Sequence, residues 1–130
     1  MSKSSYLEDE ILDHILSEGV RAFTSPPTLF LALGTAAGEA TFTELETPGA
    51  NGYDRQALTF AAASAGSAAS SDAQSFGPAT SDWANATVFA IYDASTAGNV
   101  LYYGTLTAAR DAAVDDTIEF AIGAITVTED

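Results

Sequence analysis

"ATVFAIYDASTAGNVLYYGTL", residues 86–106, decides the class of fold. Side chains of an extended chain alternate between two faces, so Val88, Ala90 and Tyr92 point one way and Phe89 and Ile91 the other. That alternation predicts a strand over 86–94. "STAGN", 95–99, has the small, turn-forming residues of a hairpin loop, and "VLYYGTLT", 100–107, predicts the return strand. The best-patterned part of the chain is therefore antiparallel.

Working outward, "GYDRQALTFAAAS", 52–64, reads as a further strand. Leu58 and Phe60 share one of its faces, while Tyr53, Arg55, Ala57 and Thr59 take the other. Pro26 and Pro27 exclude a helix before "TLFLAL", 28–33, whose nearly unbroken apolar run predicts a strand buried on both sides. "GTAAGEA" and "ELETPGANG" read as loops. A short strand is expected near 73–76, ending in a turn at Gly77-Pro78. "AARDAAVDDT" reads as a loop or short helical turn, and closing strands are expected over 117–122 and 124–128. No crossover helix separates the strands, which disfavours a parallel sheet.

One helix precedes all of this, over about 5–18. Ser5 is positioned to cap it with Glu8 three residues on, Gly19 to stop it, and Leu7, Ile11, Leu12, Ile15 and Leu16 form one stripe at helical spacing. The expectation is a mainly β chain, an antiparallel β-sandwich or small barrel with one N-terminal amphipathic helix, forming one domain over 1–130.

Charge narrows the function. Four cations (Lys3, Arg21, Arg55 and Arg110) face eighteen carboxylates, for a net charge of −14. Phosphate backbones and anionic lipid surfaces need a cationic stripe, so nucleic-acid and membrane partners are not expected. The absence of cysteine removes disulfides and thiolate chemistry. No apolar run has the length of a membrane span or of a signal-peptide core, so a soluble, non-exported chain is expected. Arg55, on the strand face opposite Leu58 and Phe60, must meet water, a carboxylate of its own chain (Asp54, Glu44 or Glu46) or a carboxylate on a neighbouring subunit.

Catalytic signals are sparse. His14, the one histidine, has Asp13 beside it, and adjacent helical residues diverge, so it reads as a surface or interface histidine. No nucleophile elbow and no phosphate-cradling glycine motif occurs. Asn85-Ala-Thr87 matches a glycosylation acceptor, an accident if the chain is not secreted. Asp111, Asp115, Asp116 and Glu119 cluster, but without calcium-loop spacing they read as a solvated acidic loop. Trp83 with Tyr92, Tyr102 and Tyr103 could form an aromatic cluster that stacks a base or sugar, though core or interface packing suits it better. No metal or cofactor is expected.

Several segments in order resemble a family of small bacteriophage virion proteins, described as tail-fibre-like or capsid-decoration proteins. They are "SYLEDEILDHIL", "TLFLALGTAAGEA", "NGYDRQALTFAAAS", "FGPATSDWANATVFAIYDASTAGNVLYYGTL" and "FAIGAITVTED". Two positions depart from the pattern: Gly34, where the family has an aromatic, and Asn85, where glycine is common. The resemblance implies a non-enzymatic structural role in the virion after assembly in the host cytoplasm. Foremost is a capsid decoration (cement) protein on the outer capsid surface, bound to the major capsid protein and self-associating as a homotrimer. A tail-associated fibre or host-recognition subunit is the alternative. On either reading Tyr53, Arg55, Trp83, Tyr92 and Tyr102 are the expected interface residues.

Overall fold

The 86–106 stretch folds as the hairpin that its alternation predicts, but the first arm begins at Trp83 and ends at Tyr92, two residues short of the expected 94, and the second runs on to Ala112. The computed structural model describes residues 1–16 and 24–129. Along the chain these form β1 (Ser2–Lys3), α1 (Ser5–Leu16), β2 (Leu29–Ala37), β3 (Phe42–Glu44), β4 (Gln56–Leu58) and β5 (Ser67–Ala69). There follow β6 (Gln74–Phe76), β7 (Trp83–Tyr92), β8 (Val100–Ala112), β9 (Ile118–Phe120) and β10 (Thr126–Thr128). The fold is mainly β, antiparallel and sandwich-like, as expected.

The main sheet runs β1-β8-β7-β2-β3, and β4 pairs with the first residues of β2. Register explains its two faces. Leu31 lies opposite Ile91, which lies opposite Tyr102, whereas Ala32, Ala90 and Tyr103 form the adjacent row. The first row joins Leu33, Phe89, Leu58, Tyr53, Phe76, Trp83, Ile118 and Ile125 in the principal core. Two short pairs, β6 with β9 and β5 with β10, supply Phe76, Ile118 and neighbouring Ile125 as a second layer. Burying a side chain such as Leu31, Leu33 or Ile91 contributes about 1.5–3 kcal/mol each. In the second row the alanines leave room for rings, and Phe30, Phe42, Tyr92 and Tyr103 gather over Ala32 and Ala90.

Several expectations need correction. "GTAAGEA" is not a loop from its start, because β2 continues through Ala37 and turns tightly into β3. Gly34 makes this possible: a Cβ there would lie 2.6 Å from the Phe42 ring and 2.4 Å from the Thr43 carbonyl oxygen. The Phe42 ring thus occupies the space a side chain at 34 would take. "AARDAA" is likewise not a loop, since β8 extends to Ala112 with an irregular register against β7. The strand expected over 52–64 shrinks to Gln56–Leu58. Asn51 and Gly52 both adopt positive φ (53° and 79°), so the chain turns there, and residues 53–55 lie outside any strand, with Tyr53 and Arg55 buried. Where the alternation holds, Leu58 and Phe60 do face the core and Ala57 and Thr59 do face water.

The helix is capped one residue earlier than expected, by Ser4, whose Oγ accepts from the Leu7 amide at 3.2 Å. Residues 17 and 18 of the expected helix, and the stop at Gly19, lie outside the described residues. The apolar stripe is largely uncovered. Leu7 is buried, but Leu12, Ile15 and Leu16 are 54%, 62% and 72% exposed.

Candidate functional site

The densest polar construction among the described residues surrounds Arg55, and it stands behind a cleft. Arg55 follows the turn at 51–52 and enters the protein interior, where its side chain is 4% exposed. Its Nε donates to Glu44 Oε1 at 2.9 Å and its Nη2 to Glu44 Oε2 at 2.8 Å, a bidentate pair. The remaining nitrogen, Nη1, donates to the carbonyls of Ala94 and Ala97 at 2.9 and 2.8 Å. The guanidinium carbon lies 3.5 Å from the centroid of the Tyr92 ring, a cation–π contact. Burial acts to lower the Arg55 pKa, but the bonds to Glu44 and the nearby negative charge outweigh it, and the net shift is upward. Among the three intrachain carboxylates considered for this cation, Glu44 is the partner.

Tyr53 completes the network. Its hydroxyl donates to Glu44 Oε1 at 2.9 Å and accepts from the Leu33 amide at 3.0 Å. Burial first, and then the adjacent Glu44 charge, raise its pKa far above the ordinary tyrosine value. β3, the core of β2, the 51–55 segment and the 93–99 loop are thereby joined around one buried charge. The loop has its own brace. The Asn99 amide donates to Asp93 Oδ1 at 2.7 Å and its Nδ2 to Asp93 Oδ2 at 2.9 Å. Gly98 permits this, because a Cβ there would lie 2.5 Å from Asp93 Oδ1 and its φ is +74°.

In front of this clasp lies an open cleft of about 410 Å³. Phe42 and Tyr92 meet edge to face at its base, with centroids 6.0 Å apart. The start of α1 (Ser4–Tyr6), the β2–β3 turn (38–41) and residues 98–100 form the walls. Backbone bonds fix these walls to one another: Ser5 N donates to Glu39 O at 3.0 Å, and Ser4 N to Leu101 O at 2.9 Å.

The five expected interface residues do not gather on one surface. Tyr53, Arg55, Trp83 and Tyr92 are buried in their own chain, at 0%, 8%, 4% and 8% exposure, and Tyr92 also lines the cleft. Their large apolar bodies, and for Arg55 the carboxylate, find partners internally. Trp83 does not join Tyr92, Tyr102 and Tyr103. It pairs at the far end of β7 with Ala112, packs against Tyr53 at 5.7 Å and donates Nε1–H to the Asn51 carbonyl at 2.9 Å. Tyr102 is half-buried, and its hydroxyl donates to Glu129 Oε1 at 2.6 Å. Lys3 binds the same carboxylate at 2.7 Å, so β1 and the residue after β10 are clasped together. Bonds from Lys3 and Tyr102 lower the Glu129 pKa, and burial raises that of Tyr102. His14 stays on the exposed helix. Among the described residues no three of the acidic or histidine side chains, the Asp111–Glu119 cluster included, converge as metal ligands would.

Sequence reasoning missed Tyr6, Phe42, Glu39 and Asn99. The Asp93 to Asn99 spacing around Gly98, and the four-residue "GEAT" turn between β2 and β3, are the signals that could have found the cleft walls.

A family model described as "Gp80: Podophage GP4 fiber I protein gp80" matches residues 2–128. No curated protein matches the chain.

Proposed function

This chain belongs to the podophage GP4 fiber I protein family, and on that premise we propose that it is a fibre subunit of the virion, joined to a second copy of itself by the apolar stripe of α1. The family makes it a phage virion structural protein. The observation that carries the finer reading is the stripe. Leu12, Ile15 and Leu16 stand at i, i+3 and i+4 on a helix held to the sheet through Ser4 and Leu7, and they remain mostly in water. A contiguous apolar row of this kind marks an interaction surface. A capsid decoration protein bound to the major capsid protein would use such a stripe equally well, but the family's description names a fiber protein, which favours the fibre.

Two measurements test this. Leu12→Ser with Ile15→Ser should convert an oligomer in light scattering to a monomer, while the unfolding free energy, compared at dilutions where both proteins are monomeric, changes by no more than about 0.5 kcal/mol, as for exposed positions. Antibody labelling of intact particles should mark fibres. Signal spread over the head, or an oligomer that survives the double substitution, would overturn the reading.

A further inference from the structure

We propose that the cleft between the start of α1, the β2–β3 turn and residues 98–100 binds a neutral oligosaccharide. Only the identification of its ligand as a surface glycan rests on the fibre reading.

Size is the first argument. At about 410 Å³ the cleft lies in the usual range for small-molecule sites, roughly 300–1,000 Å³, and it is open along one side, as an extended chain of sugars requires. Composition is the second. Sugars present C–H faces that lie on aromatic rings and hydroxyls that need donors and acceptors. The Tyr6 ring, 36% exposed, and the half-buried Phe42 offer the former. The exposed Glu39, Thr41 and Asn99 offer the latter. Because the Asn99 Nδ2 and backbone amide are held by Asp93, its carboxamide oxygen is left as an oriented acceptor.

Charge is the third argument. No Lys, Arg or His lines the cleft, and Glu39 is its one carboxylate. The nearest described guanidinium, that of Arg55, lies against Tyr92 and is committed to Glu44 and two carbonyls. An anionic sugar or phosphate would meet an acidic protein with no counter-charge, and a cationic ligand would find Glu39 as the one carboxylate of the lining, so a neutral ligand suits the cleft best.

Rigidity is the fourth. The walls are bonded to each other, the Gly38 and Thr41 backbones bond reciprocally across their turn, and the Tyr92 ring is pinned between Arg55 and Phe42. A cleft fixed in this way has little ordering cost on binding. Single-site affinity for a sugar would still be weak, and several copies on one fibre would raise it by avidity.

The test uses the full chain, isotope-labelled, titrated to millimolar concentration with neutral trisaccharides of glucose, of galactose and of N-acetylglucosamine. At least one should give saturable shifts of the Gly38, Gly98 and Asn99 amide signals. Tyr6→Ala, checked for an unchanged melting curve, should weaken that binding about tenfold through loss of the ring contact. Three results would overturn the site: no saturable shift with any probe, shifts centred away from these residues, or stronger binding of a sialylated trisaccharide or a lysine-rich peptide at the same place. Failure of the fibre reading is separate and visible in particle labelling: sugar binding by a protein found on the head leaves the cleft standing and removes the fibre.

Discussion

Removing the Arg55 side chain with Arg55→Met should destabilise the isolated chain strongly, and the structure permits the loss to be worked out. Two charge-assisted bonds to Glu44 disappear, leaving a carboxylate whose side chain is only 14% exposed with Tyr53 as its remaining donor. The carbonyls of Ala94 and Ala97 lose their donor too, but they belong to a loop that water reaches, so their share is small. Breaking a buried pair by deleting one partner typically costs about 3–5 kcal/mol, mostly because the other charge stays buried. Methionine restores much of the packing against Tyr92, so the lower half of that range, about 3–4 kcal/mol, is expected.

Urea unfolding followed by circular dichroism measures this directly. A double-mutant cycle with Glu44→Gln separates the pair from the packing, and a coupling of about 2 kcal/mol or more should appear, because the second substitution no longer removes a partner from a charge. Amide signals of residues 93–99 should also broaden or shift, since the loop loses the bonds that tie it to β3. The reasoning is refuted if Arg55→Met changes stability by less than about 1 kcal/mol, the value of an exposed ion pair. It is refuted equally if the isolated chain is untouched and only an assembled oligomer weakens, for then the guanidinium serves a contact between subunits.

The remaining predictions concern packing and pH. Gly34→Val should destabilise by about 1–3 kcal/mol or more, because the new Cβ would lie 2.4 Å from a backbone oxygen that can move only by opening the β2–β3 pairing, and Phe42→Ala in the same chain should recover little of the loss. A thermal melt of the single and double substitutions decides it, and an unchanged midpoint for Gly34→Val would contradict the close approach. Stability should also fall at alkaline pH. The folded-state pKa of Tyr53 is raised, so its contribution is complete below the ordinary tyrosine value of 10.0 and is lost as pH rises above it, at about 1.4 kcal/mol per pH unit. Urea midpoints measured across that range should show the slope in the native chain and a shallower one in Tyr53→Phe; equal slopes would count against it.

Strands with clean alternation were legible. The β7–β8 hairpin follows from the period of its side chains and the two-sided burial of β2 from its unbroken apolar run, and the structure places Leu31, Ile91 and Tyr102 in one row. Boundaries set by pairing were not legible. The 34–37 and 108–112 stretches are small and weakly patterned, and they are strands because a neighbouring backbone offers partners. The turn at Asn51-Gly52 was visible as a signal, but not that residues 53–55 stay outside the strand, so that Tyr53 and Arg55 are buried while Ala57 and Thr59 of the same parity face water. A cation in an alternating segment looks exposed by pattern alone, and only the distant Glu44, eleven residues back, reveals that it is buried. The cleft was illegible for a similar reason, since its walls come from three segments far apart in the chain.

The placement of the cations carries a consequence for assembly. Among the described residues, Arg55 is spent inside the chain, Lys3 bonds Glu129 across the termini, and Arg110 lies 5.9 Å above the Phe120 ring. The net charge of −14 makes two copies repel at long range. On the fibre reading proposed above, attraction between copies comes from a short-range, salt-insensitive source. The α1 stripe offers one: three aliphatic side chains, worth about 1.5–3 kcal/mol each if fully buried, against a repulsion that falls away within about 8 Å at physiological salt. An interface built on charge pairs would weaken as salt is added, whereas contact through Leu12, Ile15 and Leu16 strengthens as screening removes what opposes it. On that reading, the acidity that disfavours an anionic ligand in the cleft also favours an apolar helix face over charge pairs as the contact between copies.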